Sequence, residues 1–246
     1  MELIYQMPNP FFSFRKFTVF HDQCAMKVTT DACLFGAWCA REIQNMDKKN
    51  AHLLDIGTGT GLLSLMIAQK NDLFTDAVEI DKMAARQAIN NIKASPWDNS
   101  IDVINEDILK FPISGYDYVV SNPPFYEREI ISEIDKKNMA HHSTHLTLKQ
   151  VFEVVRSKLN GAGSFFLLLP FKRINEIDQL LAENNLFVSE QVLVRQTINH
   201  QPIRVMVRGS LHYHANPIKS EMIISDENNQ YSSGFKNLLE DYYLYL

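Results

Sequence analysis

The stretch "AHLLDIGTGTGLLSLMIAQK", residues 51–70, joins a short apolar run to a run of helical spacing through Gly57, Gly59 and Gly61. Glycine at such a turn lets the backbone bend tightly and approach a ligand closely. A glycine turn by itself is weak evidence, but here a strand precedes it and a helix follows it. The stretch therefore predicts a strand–turn–helix unit with a ligand site at the turn.

Strand-like runs alternate with helical runs along the rest of the chain. After the glycine turn, strands are predicted at 76–81, 100–107, 116–122, 163–170, 186–196 and 203–214, and helices at 82–95, 144–160, 172–185 and 234–246. Alternation of this kind indicates parallel strands joined by right-handed crossovers. The last two strands have no helix between them and predict an antiparallel hairpin at one edge. The expected fold is α/β and Rossmann-like, an open seven-stranded, mostly parallel sheet with helices on both faces.

Residues 1–30 are rich in aromatic residues and show no regular periodicity. We expect them to form an N-terminal segment packed on a main domain of residues 31–246. Helical spacing begins at Asp31, which we expect to be the N-cap of the first helix. The stretch "FFSFRKF", residues 11–17, predicts either an RNA contact through Arg15 and Lys16 or a hydrophobic strap over the core.

Composition favours a soluble cytoplasmic protein. Of the 246 residues, 46% are hydrophobic, which is enough for a sizeable core. The longest apolar run, residues 165–170, is too short to span a bilayer, and the N-terminus lacks the basic and apolar regions of a signal peptide. The three cysteines lack C-x-x-C spacing, and neither a carboxylate nor a cysteine completes a site with His141, His142 and His145. No metal is therefore expected.

The formal net charge of −5 argues against indiscriminate binding of phosphates. Local basic patches remain available for a nucleic acid. The pairs that stand out are Arg15 with Lys16, Lys136 with Lys137, and Arg195 with Arg204.

Acidic residues stand at or near the ends of the first three predicted strands. Glu79 is placed to accept both hydroxyls of a ribose, and Asp107 lies beside the same crevice. Asp81, two residues after Glu79, is interpreted as a cap of the next helix. Asp55 precedes the glycine turn, where a carboxylate suits a cationic or amine-bearing ligand better than a pyrophosphate. A dinucleotide enzyme would also require G-x-G-x-x-G, so S-adenosylmethionine (SAM) is favoured over NAD.

In this interpretation Asp55 shapes the loop that holds the methionine end of SAM, Glu79 takes the ribose, and Asp107 takes the adenine amino group. The predicted cofactor contacts in this part of the chain are Asp55, Gly57, Thr58, Gly59, Gly61, Glu79, Ile80 and Asp107.

The fourth predicted strand runs into "SNPPFY", residues 121–126, which cannot continue a strand or a helix. By itself it is equally well interpreted as a turn that ends the strand. Together with "LLDIGTGTGLL" and "VEID", in this order, it resembles the class I SAM-dependent methyltransferases that act on amino nitrogens. Three further stretches, at 17–38, 91–108 and 237–246, resemble the bacterial tRNA1(Val) (adenine(37)-N6)-methyltransferases.

That resemblance implies methylation of the N6 amino group of adenine 37 in the anticodon arm of valine tRNA. It implies that the Asn122 side chain and the Pro123 carbonyl accept the two N–H groups of the adenine, while the prolines, including Pro124, hold the corner rigid. Phe125 would stack on the base, with Tyr126 beside it. The family usually has Tyr at the position of Phe125, so one phenol is missing here.

The resemblance also places Lys27, Thr29, Thr30, Asp31 and Asn122 against SAM. For Thr30 and Asp31 the competing interpretation is that they cap the first helix. The basic patches predict tRNA contacts outside the active site at Arg15, Lys16, Arg195 and Arg204. The oligomeric state stays open, with a monomer preferred.

Two other hypotheses fit the sequence. The same chemistry serves N-methyltransferases that act on a protein glutamine or on adenine in DNA, and the N-P-P-aromatic motif does not separate them. A non-catalytic module that binds SAM or RNA is the second, and the intact Asn122 argues against it.

Overall fold

The computed structural model describes residues 9–124 and 146–246, which are built around one eight-stranded sheet. The strands are β1 (Phe11–Ser13), β2 (Thr18–Phe20), β3 (Ala51–Ile56), β4 (Leu73–Glu79), β5 (Ile101–Asn105), β6 (Tyr116–Ser121), β7 (Leu159–Pro170), β8 (Phe187–Arg195), β9 (Arg204–Ser210) and β10 (Ile218–Ile223). The helices are α1 (Thr30–Met46), α2 (Leu62–Ala68), α3 (Lys82–Lys93), α4 (Leu148–Lys158), α5 (Ile174–Glu183) and α6 (Ser233–Leu239).

The order of strands in the main sheet is β10-β8-β9-β7-β6-β3-β4-β5. All neighbours from β7 to β5 are parallel, whereas β9 runs antiparallel between β7 and β8. Within the sheet, β4 lies next to β3 on one side, and β6, which comes later in the chain, lies next to β3 on the other side. The strand order therefore reverses at β3. Such a reversal opens a crevice at the carboxyl ends of β3 and β6, where open α/β sheets bind their ligands.

The prediction of a doubly wound, mostly parallel sheet with an antiparallel pair is confirmed, but the predicted number of strands is wrong. β10 is an eighth strand that pairs in parallel with β8, so the hairpin of β8 and β9 does not form the edge. Four of the six residues of β10 are exposed. An exposed edge strand has no apolar alternation, which is why the sequence pattern did not indicate it.

Two local predictions near the N-terminus are also corrected. Residues 11–20 are not irregular, because β1 and β2 pair as an antiparallel hairpin. The N-cap of α1 is Thr29 and not Asp31: the Ala32 N–H donates to Thr29 Oγ1 at 3.4 Å, and the helix begins at Thr30. Asp31 lies in the first turn of α1, where its negative charge interacts favourably with the positive end of the helix dipole.

Apolar layers cover both faces of the sheet. The helices α1, α2 and α6 pack in one layer, and α4 and α5 pack in the other. The adjacent residues Leu53 and Leu54 of β3 are both fully buried, one in each layer. A strand buried on both faces has a continuous apolar sequence, as the run before the glycine turn does. None of the helices in residues 9–124 and 146–246 combines the length and the apolar character that crossing a bilayer requires.

The N-terminal aromatic segment packs into the same layer as α1 and α2. Phe14 and Phe17 are buried and stack with ring centroids 4.5 Å apart. The backbone N–H of Arg15 donates to the Tyr242 carbonyl at 2.8 Å, and its Nε donates to the Tyr243 carbonyl at 2.8 Å. These contacts support the interpretation of the phenylalanines as a hydrophobic strap. The division into residues 1–30 and 31–246 stays a prediction.

A glycine in β9 tests how tightly the antiparallel strands pack. A Cβ on Gly209 would lie 2.4 Å from the Phe187 carbonyl oxygen and 2.4 Å from the Phe165 ring. We expect Gly209→Ala to lower the free energy of unfolding by about 1–3 kcal/mol, because the backbone carbonyl cannot move aside. A chain of this size should then melt roughly 2–4 °C lower for each kcal/mol lost.

The matched control is Gly161→Ala in β7, where an added Cβ meets nothing within 4 Å. Its effect on the free energy of unfolding should stay within about 0.5 kcal/mol. Equal stability of the two variants in urea unfolding would contradict the packing described for β9.

Candidate active site

A cavity of about 560 Å³ opens at the carboxyl ends of the parallel strands. This volume lies within the range of roughly 300–1,000 Å³ that is usual for small-molecule sites. Most of its lining comes from five segments: residues 23–27 before α1, and residues 56–60, 78–81, 106–108 and 121–124 at the ends of β3, β4, β5 and β6. Residues of α1, α2 and α3 and Leu146 complete it. The strand ends that the sequence indicated separately therefore meet in one place.

The glycine turn after β3 forms the floor of this cavity. Gly57 and Gly59 have φ angles of 68° and 58°, a left-handed conformation that side chains other than glycine rarely adopt. A Cβ built on either residue would meet nothing within 4 Å, so open space lies beside the backbone. Gly61 does not line the cavity. Its φ is 82°, and an added Cβ would lie 3.3 Å from Ile92, so its role is to let α2 start close to α3.

Asp55 lies beneath the turn and not in the cavity wall. Its side chain is fully buried, and its Oδ2 accepts hydrogen bonds from Thr58 Oγ1 at 2.6 Å and from Ser64 Oγ at 2.7 Å. Burial raises the pKa of this carboxyl to about 6, although the two hydroxyl donors favour the charged form. Asp55 thus fixes Thr58, which does line the cavity. This placement supports the predicted role of shaping the loop.

Glu79 joins the end of β4 to the glycine turn. The Gly59 N–H donates to its Oε2 at 2.9 Å, and the Asp81 N–H donates to its Oε1 at 2.9 Å. Each carboxylate oxygen keeps a second lone pair, so Glu79 can still accept hydroxyl groups from a ligand. The interpretation of Asp81 as a helix cap is confirmed, because its Oδ1 accepts the Ala84 N–H at 2.8 Å.

Apolar and acidic side chains complete the wall beyond Glu79. Ile80 and Met83 line the cavity and are partly exposed, at 38% and 49%. Asp107 also lines it, and its Oδ1 accepts the Leu109 N–H at 3.0 Å. Glu106 beside it lines the cavity too, which the sequence interpretation missed. The run "NED" carried the signal of two adjacent acids but not which of them faces a ligand.

The corner that follows β6, residues 121–124, forms the wall of the cavity on the β6 side of the crevice. Ser121 Oγ donates to the Ile56 carbonyl at 2.8 Å and so ties the end of β6 to the end of β3. Asn122, Pro123 and Pro124 follow directly and line the cavity. The predicted stacking residues Phe125 and Tyr126 lie outside the described residues, as do Lys136 and Lys137.

The N-terminal predictions divide into two groups. Lys27 lines the cavity, together with Gln23, Cys24, Ala25 and Met26, which the sequence interpretation missed. Thr30 is the first residue of α1 and is not among the lining residues, so a place in the helix start describes it better than a cofactor contact.

The four cations predicted to contact tRNA do not line the cavity. Arg195 and Arg204 lie at the same edge of the sheet, because β8 ends at Arg195 and Arg204 pairs with Pro170 at the end of β7. Each forms an ion pair with a carboxylate. Arg195 donates to the two carboxylate oxygens of Glu221 from Nη2 at 2.9 Å and from Nε at 3.0 Å, and Arg204 Nε donates to Asp31 Oδ2 at 2.9 Å. Arg15 donates to the C-terminal backbone, and Lys16 is exposed beside it.

Comparisons with known proteins agree with this geometry. Residues 41–179 match the family model of the methyltransferase small domain. A tRNA1(Val) (adenine(37)-N6)-methyltransferase of Bacteroides thetaiotaomicron is 36% identical over 244 residues, which cover 98% of this chain and 100% of that protein. The protein of the same description from Pseudoalteromonas translucida is 38% identical over 236 residues, which cover 95% of this chain and 98% of that protein.

Solved structures match the fold. A predicted O-methyltransferase of Agrobacterium tumefaciens has a TM-score of 0.63 at 13% identity, covering 86% of this chain and 96% of that one. A putative class I SAM-dependent methyltransferase of Listeria monocytogenes has a TM-score of 0.60 at 13% identity, covering 80% and 68%. The fold is that of a class I methyltransferase, and the identity over nearly the full length is decisive for the family: the chain belongs to the tRNA1(Val) (adenine(37)-N6)-methyltransferases.

Proposed function

We propose that this protein transfers a methyl group from SAM to the N6 amino group of adenine 37 in the anticodon loop of valine tRNA. The observation that carries the proposal is the position of Asn122 and the two prolines on the wall of a cavity whose other walls carry strand-end carboxylates. The relatives that match this chain over nearly its whole length are named for the same reaction.

The residues that line the cavity suit SAM. Glu79 offers paired acceptors for the ribose hydroxyls, Asp107 offers an acceptor for the adenine amino group, and Ile80 provides an apolar flank for the base. The open backbone at Gly57 and Gly59, with Thr58 held by Asp55, suits the methionine end, and we place Lys27 on the same wall. When bound, SAM supplies a methyl group made electrophilic by the sulfonium.

Asn122 and Pro123 prepare the amine of the substrate. The lone pair of adenine N6 is delocalised into the ring, so the amine is a poor nucleophile. The Asn122 side-chain oxygen and the Pro123 carbonyl accept its two N–H groups and turn the lone pair toward the methyl. Because the two prolines fix the corner, this arrangement exists before the substrate arrives. We assign Phe125 to stacking on the base, a contact worth about 1–3 kcal/mol in comparable systems.

The substrate base must leave its stack to reach the cavity, which costs less in a loop than in a duplex. Because the chain is acidic, we propose that tRNA binds through local cations: Arg195 and Arg204 at the edge of the sheet that carries the cavity, and Arg15 and Lys16 near the C-terminus. The guanidinium groups of Arg195 and Arg204 each have five N–H donors, so each can bind a phosphate while it still donates to its carboxylate partner. We further propose that the protein acts in the cytoplasm, as a monomer and without a metal.

The first prediction concerns the cofactor. S-adenosylhomocysteine at 100 times its Kd should stabilise the protein by about 2.7 kcal/mol in a thermal-shift assay, whereas NAD should give no shift. Glu79→Gln should lose most of that shift, because it removes charge from the ribose acceptor. The control is Glu176→Gln on α5, whose carboxylate pairs only with the half-buried Arg173 among the described residues. A shift with NAD alone would contradict the cofactor assignment.

The second prediction concerns Asn122 in the N-P-P corner that follows β6. Asn122→Ala should lower the single-turnover rate by on the order of 10²–10³, as loss of one preorganised polar contact does elsewhere. The Kd of S-adenosylhomocysteine should change much less than the rate, because the residues assigned to the ribose and methionine ends of the cofactor are intact. Asn184→Ala, at the end of α5, removes an amide that, among the described residues, bonds the Leu180 carbonyl alone, and it should keep the full rate. A normal rate for Asn122→Ala would remove this residue from the mechanism.

The third prediction tests the substrate. Mass spectrometry of nucleosides from valine tRNA, incubated with the purified protein and SAM, should detect N6-methyladenosine at position 37. Duplex DNA that carries adenine and a protein that offers a glutamine should both remain unmodified. A better yield on DNA or on the protein would overturn the tRNA assignment and leave the amine chemistry in place. No transfer to any of the three, with SAM bound, would indicate a binding module.

A further inference from the structure

We propose that Asn91 is a positioning residue of the cofactor site, an inference that rests on the proposed function. It lies on α3, outside the cavity wall, and is 1% exposed. Its side-chain amide bonds the glycine turn and Phe20, the last residue of β2, from which the chain enters the N-terminal loop, which we define as residues 21–28.

The side chain of Asn91 makes three hydrogen bonds, all to backbone atoms, which use both of its N–H donors and one lone pair of its oxygen. Its Nδ2 donates to the Thr60 carbonyl at 2.9 Å and to the Phe20 carbonyl at 2.9 Å. Its Oδ1 accepts the Phe20 N–H at 3.0 Å. A side chain with two N–H groups and an acceptor is required to satisfy all three, and neither Asp nor Leu offers that set.

One bonded segment lines the cavity, and the other leads into a loop that lines it. Thr60 lines it and is the last residue of the turn before Gly61. Phe20 ends β2, directly before the N-terminal loop, and five residues of that loop, Gln23–Lys27, line the cavity. Asn91 therefore sets the spacing between the wall that precedes α1 and the floor formed by the glycine turn.

The N-terminal loop has no strand or helix of its own, so side chains must hold it. Gln87, one helical turn before Asn91 and also buried, accepts the Gln23 N–H at 3.3 Å. At the other end of the loop the Val28 N–H donates to His21 Nδ1 at 3.4 Å. The bonds of Asn91 are shorter than both, and Asn91 is the residue of this set that also holds the glycine turn.

A positioning role predicts loss of cofactor affinity beyond any loss of stability. The variant is Asn91→Asp, which keeps the size and one acceptor but removes both N–H donors. Its Kd for S-adenosylhomocysteine, measured by calorimetry, should rise about tenfold, since two buried hydrogen bonds at the site are lost. The KM for SAM should rise in parallel, whereas kcat at saturating SAM should stay within about threefold of the wild type.

The matched control is Asn71→Asp. The Asn71 amide also donates to two backbone carbonyls, those of Ala40 at 3.0 Å and Ile67 at 2.9 Å, but at the opposite end of α2. This variant should also lower the melting temperature, with an unchanged Kd. Gln87→Met, which removes only the acceptor for Gln23, serves as a milder variant and should raise the Kd by a smaller factor.

The outcomes separate this inference from the proposed function. Equal losses of stability in the Asn91 and Asn71 variants, with wild-type Kd in both, would overturn the positioning role. If Asn91→Asp does not fold, an unchanged Kd in Gln87→Met would overturn it as well. Failure of the wild-type protein to bind S-adenosylhomocysteine at all would instead contradict the proposed function.

Discussion

The parallel pairing of β3 with β4 on one side and β6 on the other is the constraint on which the rest of the site depends. It brings the carboxyl ends of three parallel strands to one edge of the sheet. A crevice opens between β3 and β6, where the strand order reverses. Two side chains secure this edge. Ser121 ties the end of β6 to β3, and Glu79 ties the end of β4 to the glycine turn. The cofactor wall and the N-P-P corner are therefore parts of one rigid frame.

The charges of the site explain how an acidic protein can act on RNA. Glu79, Glu106 and Asp107 give the cavity a negative wall, which suits a cofactor that carries a sulfonium and an ammonium and disfavours phosphate groups. The cations stand outside, with Arg195 and Arg204 on the neighbouring strands of the same edge. In the function that we propose, this separation keeps the RNA backbone away from the cofactor pocket and leaves the pocket to an unstacked base.

The parts of the site that could be predicted from the sequence are those that follow strand ends. Strand ends of a parallel sheet predict that Glu79 and Asp107 share one crevice, and the N-P-P motif, through its family resemblance, adds Asn122; all three line the cavity. Asp81 was correctly interpreted as a helix cap because an acid before a helical run is the usual N-cap. The parallel pairing of the strands likewise follows from the alternation of strands and helices along the chain.

The features that could not be predicted from the sequence are those that depend on tertiary contacts. Asn91 and Gln87 occupy a helix face that, by residue type, suggests exposure to solvent, yet both are buried against the backbone of a distant segment. Gly61 belongs to the glycine pattern but packs against α3, away from the cavity. The eighth strand, β10, is exposed and carries no periodic signal. None of these assignments follows from the spacing of residues along the chain.

The central claim is that one cavity at the switch point holds SAM by its strand-end carboxylates. A crystal structure with S-adenosylhomocysteine tests it most directly. The account predicts both ribose hydroxyls within about 2.6–3.2 Å of the Glu79 carboxylate, the adenine beside Ile80 and Asp107, and no contact between the ligand and the buried Asp55. A nucleoside bound away from this edge of the sheet, or bound in the cavity with Glu79 disengaged from the ribose, would contradict it.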